Sequence, residues 1–358
     1  MERYLSPKAR QITPYVPGEQ PQDKRYIKLN TNENPYPPSP MALEAIEHAA
    51  CGDLRLYTRP EMDELRDAIA RVQGLPDRSW VYCGNGSDEV LALSFQAFFG
   101  GEMPLLFPDV TYSFYPVYCD LYSIAQRTVP LAEDFTIRLA DYDVPACGAV
   151  FPNPNAPTGI FHDLGDIEAY LQRHDDRVLL VDEAYVRFGN QSMVPLLAKH
   201  PNLAVVTTLS KSHALAGLRC GIVMAQPHLI DGVIRIKNSF NSYPMSAMAQ
   251  AGATAAILDD DYARGICAKV AATRDRVRQS LVARGFEVTP STANLLFFRH
   301  NNIAGPALFA ALRQRGILVR RFDNPARIAD YIRMTIGTDE DMDRVLKAID
   351  EILAVNKG

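Results

Sequence analysis

From about residue 50 to 240 the chain alternates short apolar runs with amphipathic stretches. WVYCG, MPLLFPD, QRTVPL, GAVFPNP, RVLLVDEAY, LAVVTTLSK and CGIVMA each read as a strand bounded by turn or helix signals. Several are apolar on both faces, as expected of strands covered by helices on both sides of a sheet. This alternation predicts an α/β large domain with a mostly parallel sheet. Residues 1–40 are rich in Pro, Tyr and Asn and predict an extended arm, because each proline removes a donor and restrains its predecessor. From Pro40 the pattern turns helical, and EMDELRDAIARVQG repeats the amphipathic spacing until Gly74. Residues 245–283 read as helical. FEVTPSTANLLFFRH, GILVRRF and DYIRMTIGT are strand-like, with a helix around PALFAALRQRG and a last one from about Thr338. The expected division is an arm over 1–40 that also completes a smaller α+β domain, a large domain over 41–245, and a connecting helix plus small domain over 246–358.

Composition narrows the function classes. A net charge of −5, with no Lys/Arg run, gives no general attraction to nucleic acid. A few placed arginines still suffice to bind a phosphate or carboxylate. The six cysteines lack zinc spacing and read as reduced core thiols, so no metal site is expected. Neither a signal-peptide core nor a run of 18 or so apolar residues occurs, which predicts a cytoplasmic protein without membrane contact.

The chemistry concentrates at strand ends. In TLSKSHALAGLRCG, Lys211 follows an apolar strand, and Arg219 lies eight positions on. A strand-end lysine in a covered site is partly desolvated, which lowers its pKa and makes a nucleophilic amine. Thr208, Ser210 and Arg219 together supply hydroxyls and a guanidinium for one phosphate. In RVLLVDEAY, Asp182 and Glu183 end another strand, where open α/β sheets bind ligands. In GNGSDE, glycines permit close backbone approach and a helix N-terminus favours an anion, although Ser87 and Asp88 also suit plain helix caps. NPNAPTG alone is a turn. His162, His174, His200 and His213 have no partner spacing and are expected at the surface or at helix caps; Trp80 is expected in the core.

GNGSDE, NPNAPTG, VDEAY and SKSHALAGLRCG, in that order, resemble the fold-type I (class I/II) pyridoxal-phosphate-dependent aminotransferases. LNTNENPYPPSP, LRLY and GILVRRF look like the histidinol-phosphate aminotransferase branch. The resemblance runs from about Tyr15 to the end and implies pyridoxal 5′-phosphate as cofactor. It implies that Lys211 forms the Schiff base and moves the substrate proton, Asp182 holds the ring nitrogen and Tyr185 the phenolic oxygen. Tyr112 would stack on the ring, with Gly86, Ser87, Thr208, Ser210 and Arg219 around the phosphate. Tyr57 would reach the neighbouring subunit's phosphate, implying a homodimer with shared sites. Arg333 would bind the amino acid carboxylate, and Arg320 the substrate phosphate with Tyr15 and Asn30 or Asn32. The family usually has Asn directly before Pro-Thr-Gly, where this chain has Ala156; either Asn155 substitutes or the contact is lost. Neighbouring strand residues face opposite ways, so only one of Arg320 and Arg321 reaches the site, and the family position favours Arg320.

The expected activity exchanges an amino group between L-histidinol phosphate and 2-oxoglutarate, giving imidazole-acetol phosphate and L-glutamate. An aromatic amino acid aminotransferase is the nearest alternative, since Tyr15, Tyr112 and Tyr115 would wall an aromatic ring equally well. A phospho-amino-acid decarboxylase on the same fold is more distant. A cofactor-binding regulator would carry a DNA-binding module, and none is apparent.

Overall fold

In chain order, the computed structural model (residues 2–355 except residue 24 are described) begins with an arm that contributes β1 (Ile27–Lys28). The arm is not wholly extended. Ser6 accepts from the Ala9 N–H and Pro7 occupies the first helical position, so Pro7–Gln11 close one helical turn.

The large domain holds seven strands: β2 (Val81–Asn85), β3 (Leu105–Pro108), β4 (Gln126–Val129), β5 (Gly148–Pro152), β6 (Val178–Asp182), β7 (Leu203–Thr208) and β8 (Cys220–Ala225). They pair in the order β2-β8-β7-β6-β5-β3-β4. The pairs β3–β4, β3–β5, β5–β6 and β6–β7 are parallel, while β8 runs antiparallel to both its neighbours. β3, β5 and β8 are buried along their whole length, as their continuous apolar runs require. β4 is one edge, and Gln126, Arg127 and Thr128 are exposed there.

The small domain has β9 (Phe286–Val288), β10 (Leu295–His300), β11 (Ile317–Leu318), β12 (Arg320–Arg321) and β13 (Ile332–Thr335). FEVTPSTANLLFFRH is therefore two antiparallel strands and not one. GILVRRF also divides: β11 pairs in parallel with β1 of the arm, and β12 joins the antiparallel sheet β12-β13-β10-β9. This change of sheet at Val319 sets Arg320 directly across from Arg333.

The two domains have largely separate cores, joined where Phe297, Ile328 and Tyr331 enter the large one, but their border does not fall at residue 245. The helix Ala247–Leu258 buries Ala249, Ala253, Ala256 and Ile257 in the large core. Its small residues allow close approach, and Gly252 lies against Ile46 of the helix Pro40–Ala49. The following helix, Asp260–Ala283, sends Cys267, Val270, Val277 and Leu281 into the small core. The large domain thus extends to about Ile257. Among the described residues no helix is long and apolar enough to cross a membrane.

β8 presses on the start of the helix Gly86–Phe98. A Cβ at Gly221 would lie 2.3 Å from the Gly86 carbonyl carbon and 2.4 Å from the Ser87 nitrogen, atoms that cannot swing aside. We expect Gly221→Ala to lose about 1–3 kcal/mol in urea unfolding. Gly232→Ala, in the open middle of the helix Pro227–Phe240, should instead gain up to about 1 kcal/mol. Equal effects at the two positions would contradict this packing.

Candidate active site

The ends of β5, β6 and β7, the first turn of Gly86–Phe98 and the arm enclose a cavity of about 340 Å³. Thr31, Glu33, Ser87, Asp182, Lys211 and Arg219 are among the residues of its wall. Most come from strand C-terminal ends or the turns that follow them, where backbone pairing stops and side chains are free to converge.

Lys211 sits on the short turn Leu209–Ser212 directly after β7. Thr208 holds that turn: its hydroxyl accepts the Ser210 N–H at 3.1 Å and donates to the Cys220 carbonyl at 3.0 Å. Thr208 therefore does not line the cavity as expected, because its hydroxyl is used in capping the turn. The Lys211 Nζ donates to the Thr31 carbonyl at 3.0 Å. Burial pulls the amine down to about 8, the nearby Arg333 and Arg219 guanidiniums push the same way, and Glu33 and Asp88 oppose them.

At the end of β6 the Asp182 carboxylate accepts the Tyr115 hydroxyl at 2.8 Å and the Ala184 N–H at 3.1 Å. Burial pushes it up to about 6, against those two bonds. Glu183, its neighbour, points elsewhere and accepts from Ser192 and the Met193 N–H, with burial raising it to about 7. Tyr115 is fully buried and tied to Asp182, so it is not a wall for an aromatic substrate. Tyr185 faces the cavity, and its hydroxyl accepts from the Asn32 amide at 2.8 Å.

Ser87, Ser210 and Arg219 form a polar corner with the helix N-terminus. Gly86 has φ +86°, and a Cβ there would meet the Arg219 guanidinium at 2.3 Å. Such a corner of backbone N–H groups, hydroxyls and a guanidinium suits an anion. Asp88 organises it, accepting from Tyr112 at 2.7 Å and from Arg219 at 3.2 Å. Asp88 bridges these groups and does not cap the helix, whose N-cap is Asn85; its sequence signal was only its place in GNGSDE. Tyr112 lines the cavity itself.

Asn155 does not take up the position left by Ala156. Its amide donates to the Val110 carbonyl at 2.9 Å and to the Thr158 hydroxyl at 3.0 Å, while Ala156 is on the cavity wall. Tyr57 is 83% exposed, stacked on Tyr243 at 4.5 Å, and does not line this chain's cavity. His213 takes a helix-cap position at the end of the Lys211 turn and is not at the surface. It is buried beside the Lys211 turn, with Nδ1 2.9 Å from the Ser212 hydroxyl, and burial drives it down to about 3. His174 caps its helix as expected.

The small domain presents a second pair of cations. Arg320 and Arg333 face one another across β12 and β13, with guanidiniums 5.7 and 5.6 Å from the Phe322 ring centre. Arg333 donates to the Asn30 carbonyl at 2.7 Å, and Arg320 to the Val16 and Pro17 carbonyls at 2.9 and 3.2 Å. Arg321 points away, bound to Asp323 and the Ala329 carbonyl. Tyr15 stacks on Phe114 at 4.3 Å. Thr31 and Glu33, which lie within LNTNENPYPPSP but were assigned no role there, complete the wall beside Lys211.

This chain matches the family model described as aminotransferase class I and II over residues 24–349. It is 54% identical over 348 residues to histidinol-phosphate aminotransferase 2 of Thiobacillus denitrificans, covering 97% of each chain. It is 51% identical to the histidinol-phosphate aminotransferase of Acetobacter pasteurianus, covering 99% of each. The crystal structure of histidinol-phosphate aminotransferase from Sinorhizobium meliloti in complex with pyridoxal-5′-phosphate superposes with a TM-score of 0.87. The two are 25% identical, with 99% of this chain and 98% of that one covered.

The depressed Lys211 pKa has a direct readout. Only the neutral amine attacks a carbonyl, so reductive trapping by a small aldehyde, followed by peptide mapping, should label Lys211 with a half-maximal rate near pH 8. A rise centred near the ~10.4 of an ordinary lysine would show that the amine is not desolvated.

Proposed function

This chain belongs to the class I and II aminotransferase family, and from that premise we propose that it transfers the amino group of L-histidinol phosphate to 2-oxoglutarate. The products are imidazole-acetol phosphate and L-glutamate. The observation that carries the reading is the buried Lys211 amine set between the Asp182 carboxylate and the Ser87–Ser210–Arg219 corner. Relatives at about 50% identity over nearly the whole chain, named for histidinol phosphate, support the substrate.

Pyridoxal 5′-phosphate fits the residues present. Gly86 and Gly221 leave room where any Cβ would collide, and the corner they shape carries the donors a phosphate needs. Lys211 would hold the carbonyl carbon, Asp182 the ring nitrogen, Tyr185 the phenolic oxygen, and Ser87, Ser210 and Arg219 the phosphate, with Tyr112 against the ring. When bound, that group supplies an electron sink that acidifies the Cα–H of an amino substrate. Asp182, raised by burial when alone, is held as a carboxylate by a cationic partner. Lys211, as a neutral amine, takes the Cα proton at Nζ and returns it to the other side of the exchange. Arg320 binds the substrate phosphate; Arg333 takes the carboxylate of the dicarboxylic co-substrate, with Tyr15 and Asn32 closing the site from the arm. Both arginines now hold arm carbonyls, which an incoming anion would replace by stronger charge-assisted bonds.

A homodimer with shared sites belongs to the same proposal. Tyr57, Tyr243, Phe240, Leu54 and Leu56 are all exposed and apolar or aromatic, a composition suited to a protein partner. The exposed thiol of Cys51 accords with a reducing cytoplasm.

Lys211→Ala should lower turnover by about 10²–10⁴-fold or more, and full retained turnover would remove the central assignment. Arg320→Ala should raise KM for histidinol phosphate about tenfold or more, whereas Arg321→Ala should change it little. Mixed subunits of Tyr57→Phe and Lys211→Ala should recover activity once exchange is shown; no recovery argues against shared sites. Visible spectra of the cofactor-loaded protein with histidinol phosphate and with L-phenylalanine separate the two aminotransferase readings. A response to phenylalanine alone discards the phosphate substrate, and release of carbon dioxide would indicate a decarboxylase.

A further inference from the structure

Three carboxylates stand on the cavity wall among the described residues, and two are committed on both oxygens. Asp182 accepts from Tyr115 and Ala184; Asp88 accepts from Tyr112 and Arg219. Glu33 differs. Its Oε2 accepts from Lys28 and, at 2.8 Å, from the Thr31 hydroxyl, and Oε1 has no hydrogen-bond partner among the described residues. The carboxylate is half-buried and close enough to Lys211 for each to influence the other's charge.

Histidinol phosphate carries its phosphate and its imidazole on different branches from Cα. With Cα at the Lys211 amine and the phosphate on Arg320 of the small domain, the ring branch must meet another part of the wall. We propose that Glu33 recognises the imidazole there, accepting a ring N–H at Oε1, and so separates an imidazole-bearing substrate from a phenyl-bearing one. The inference rests on the histidinol-phosphate reading above. Lys28 and Thr31 fix the carboxylate by one oxygen and leave the other as an oriented acceptor. A phenyl ring would cover that acceptor and offer it no donor, which costs binding.

Several charges face Glu33. Lys28 comes from its own segment and Lys211 from the turn after β7; Arg25, Asp341 and Arg344 line the adjoining cleft to which Glu33 also contributes. Burial raises its pKa, but the Lys28 and Thr31 bonds and the charges of Lys28 and Lys211 outweigh that and hold it below the usual carboxylate range. Glu33 therefore stays ionised while imidazole, ordinarily near ~6.5, gains its proton. The sign follows: the contribution of Glu33 to substrate capture grows as pH falls through that value.

The test measures kcat/KM for L-histidinol phosphate and L-phenylalanine between about pH 5 and 8 in cofactor-loaded wild type, Glu33→Gln and Glu33→Asp. Glu33→Gln should lower the ratio of histidinol phosphate to phenylalanine kcat/KM about tenfold to a hundredfold. The wild-type to Glu33→Gln ratio for histidinol phosphate, divided by the same ratio for phenylalanine, should rise as pH falls through ~6.5; the substrate phosphate titrates in both proteins, and any shift of Lys211 on loss of Glu33 acts on both substrates, so both cancel. Glu33→Asp, which keeps the charge, should restore part of that rise. Equal losses on both substrates with a ratio flat in pH would overturn the proposal and leave Glu33 as a brace for the arm. A wild-type protein inactive on histidinol phosphate would overturn the underlying reading as well, so the two failures are distinguishable.

Discussion

The antiparallel return of β8 beside β7 governs the geometry of this site. It places Gly221 opposite Thr208 on one side and opposite Gly84 on the other. Consequently the Lys211 turn, Arg219 and the N-terminus of Gly86–Phe98 all emerge at the same end of the sheet. The contact between Gly221 and Gly86 sets how near the helix dipole comes to the lysine. With a wholly parallel sheet, a crossover would separate the strand carrying Arg219 from that carrying Lys211, and the anion corner would lie elsewhere.

Within that frame, the electrostatics of the lysine are a balance between unlike neighbours. Arg333 and Arg219 push the amine toward neutrality, while Glu33 and Asp88 restrain it, and burial decides the outcome. Asp88 lowers the net charge of the anion corner by pairing with Arg219, so the guanidinium is oriented before any ligand arrives. The small-domain arginines are similarly positioned by arm carbonyls. Both arrangements keep cations ready without leaving them unpaired in a partly dry cleft.

Much of this was legible in the sequence because it is local. A strand end followed by Lys211, or by Asp182, encodes its own position; strand alternation lets only one of Arg320 and Arg321 face Arg333, and the family resemblance favours Arg320. What escaped depends on contacts distant in sequence. Thr208 looked like a phosphate ligand until its hydroxyl met the Cys220 carbonyl, and Asn155 like a substitute donor until its amide met Val110. His213 takes one of the positions expected of it, a helix cap, but nothing nearby in the sequence announces its burial. The alanine-rich helix Ala247–Leu258 gives no directional hydrophobic face, so its allegiance to the large core is set only by packing on Ile46 and its neighbours.

Asn32 ties the two sheets together through one residue of the arm. Its backbone N–H donates to the Thr335 hydroxyl on β13, and its side-chain amide donates to the Tyr185 hydroxyl after β6. It holds this place with φ +57°, a conformation that asparagine tolerates better than most residues. The residue therefore acts as a mechanical linkage: a rotation of the small domain either breaks one of these bonds or is transmitted as a pull on the tyrosine hydroxyl. The position of one domain is thereby felt, through a single side chain, by the acidity and orientation of a phenol in the other.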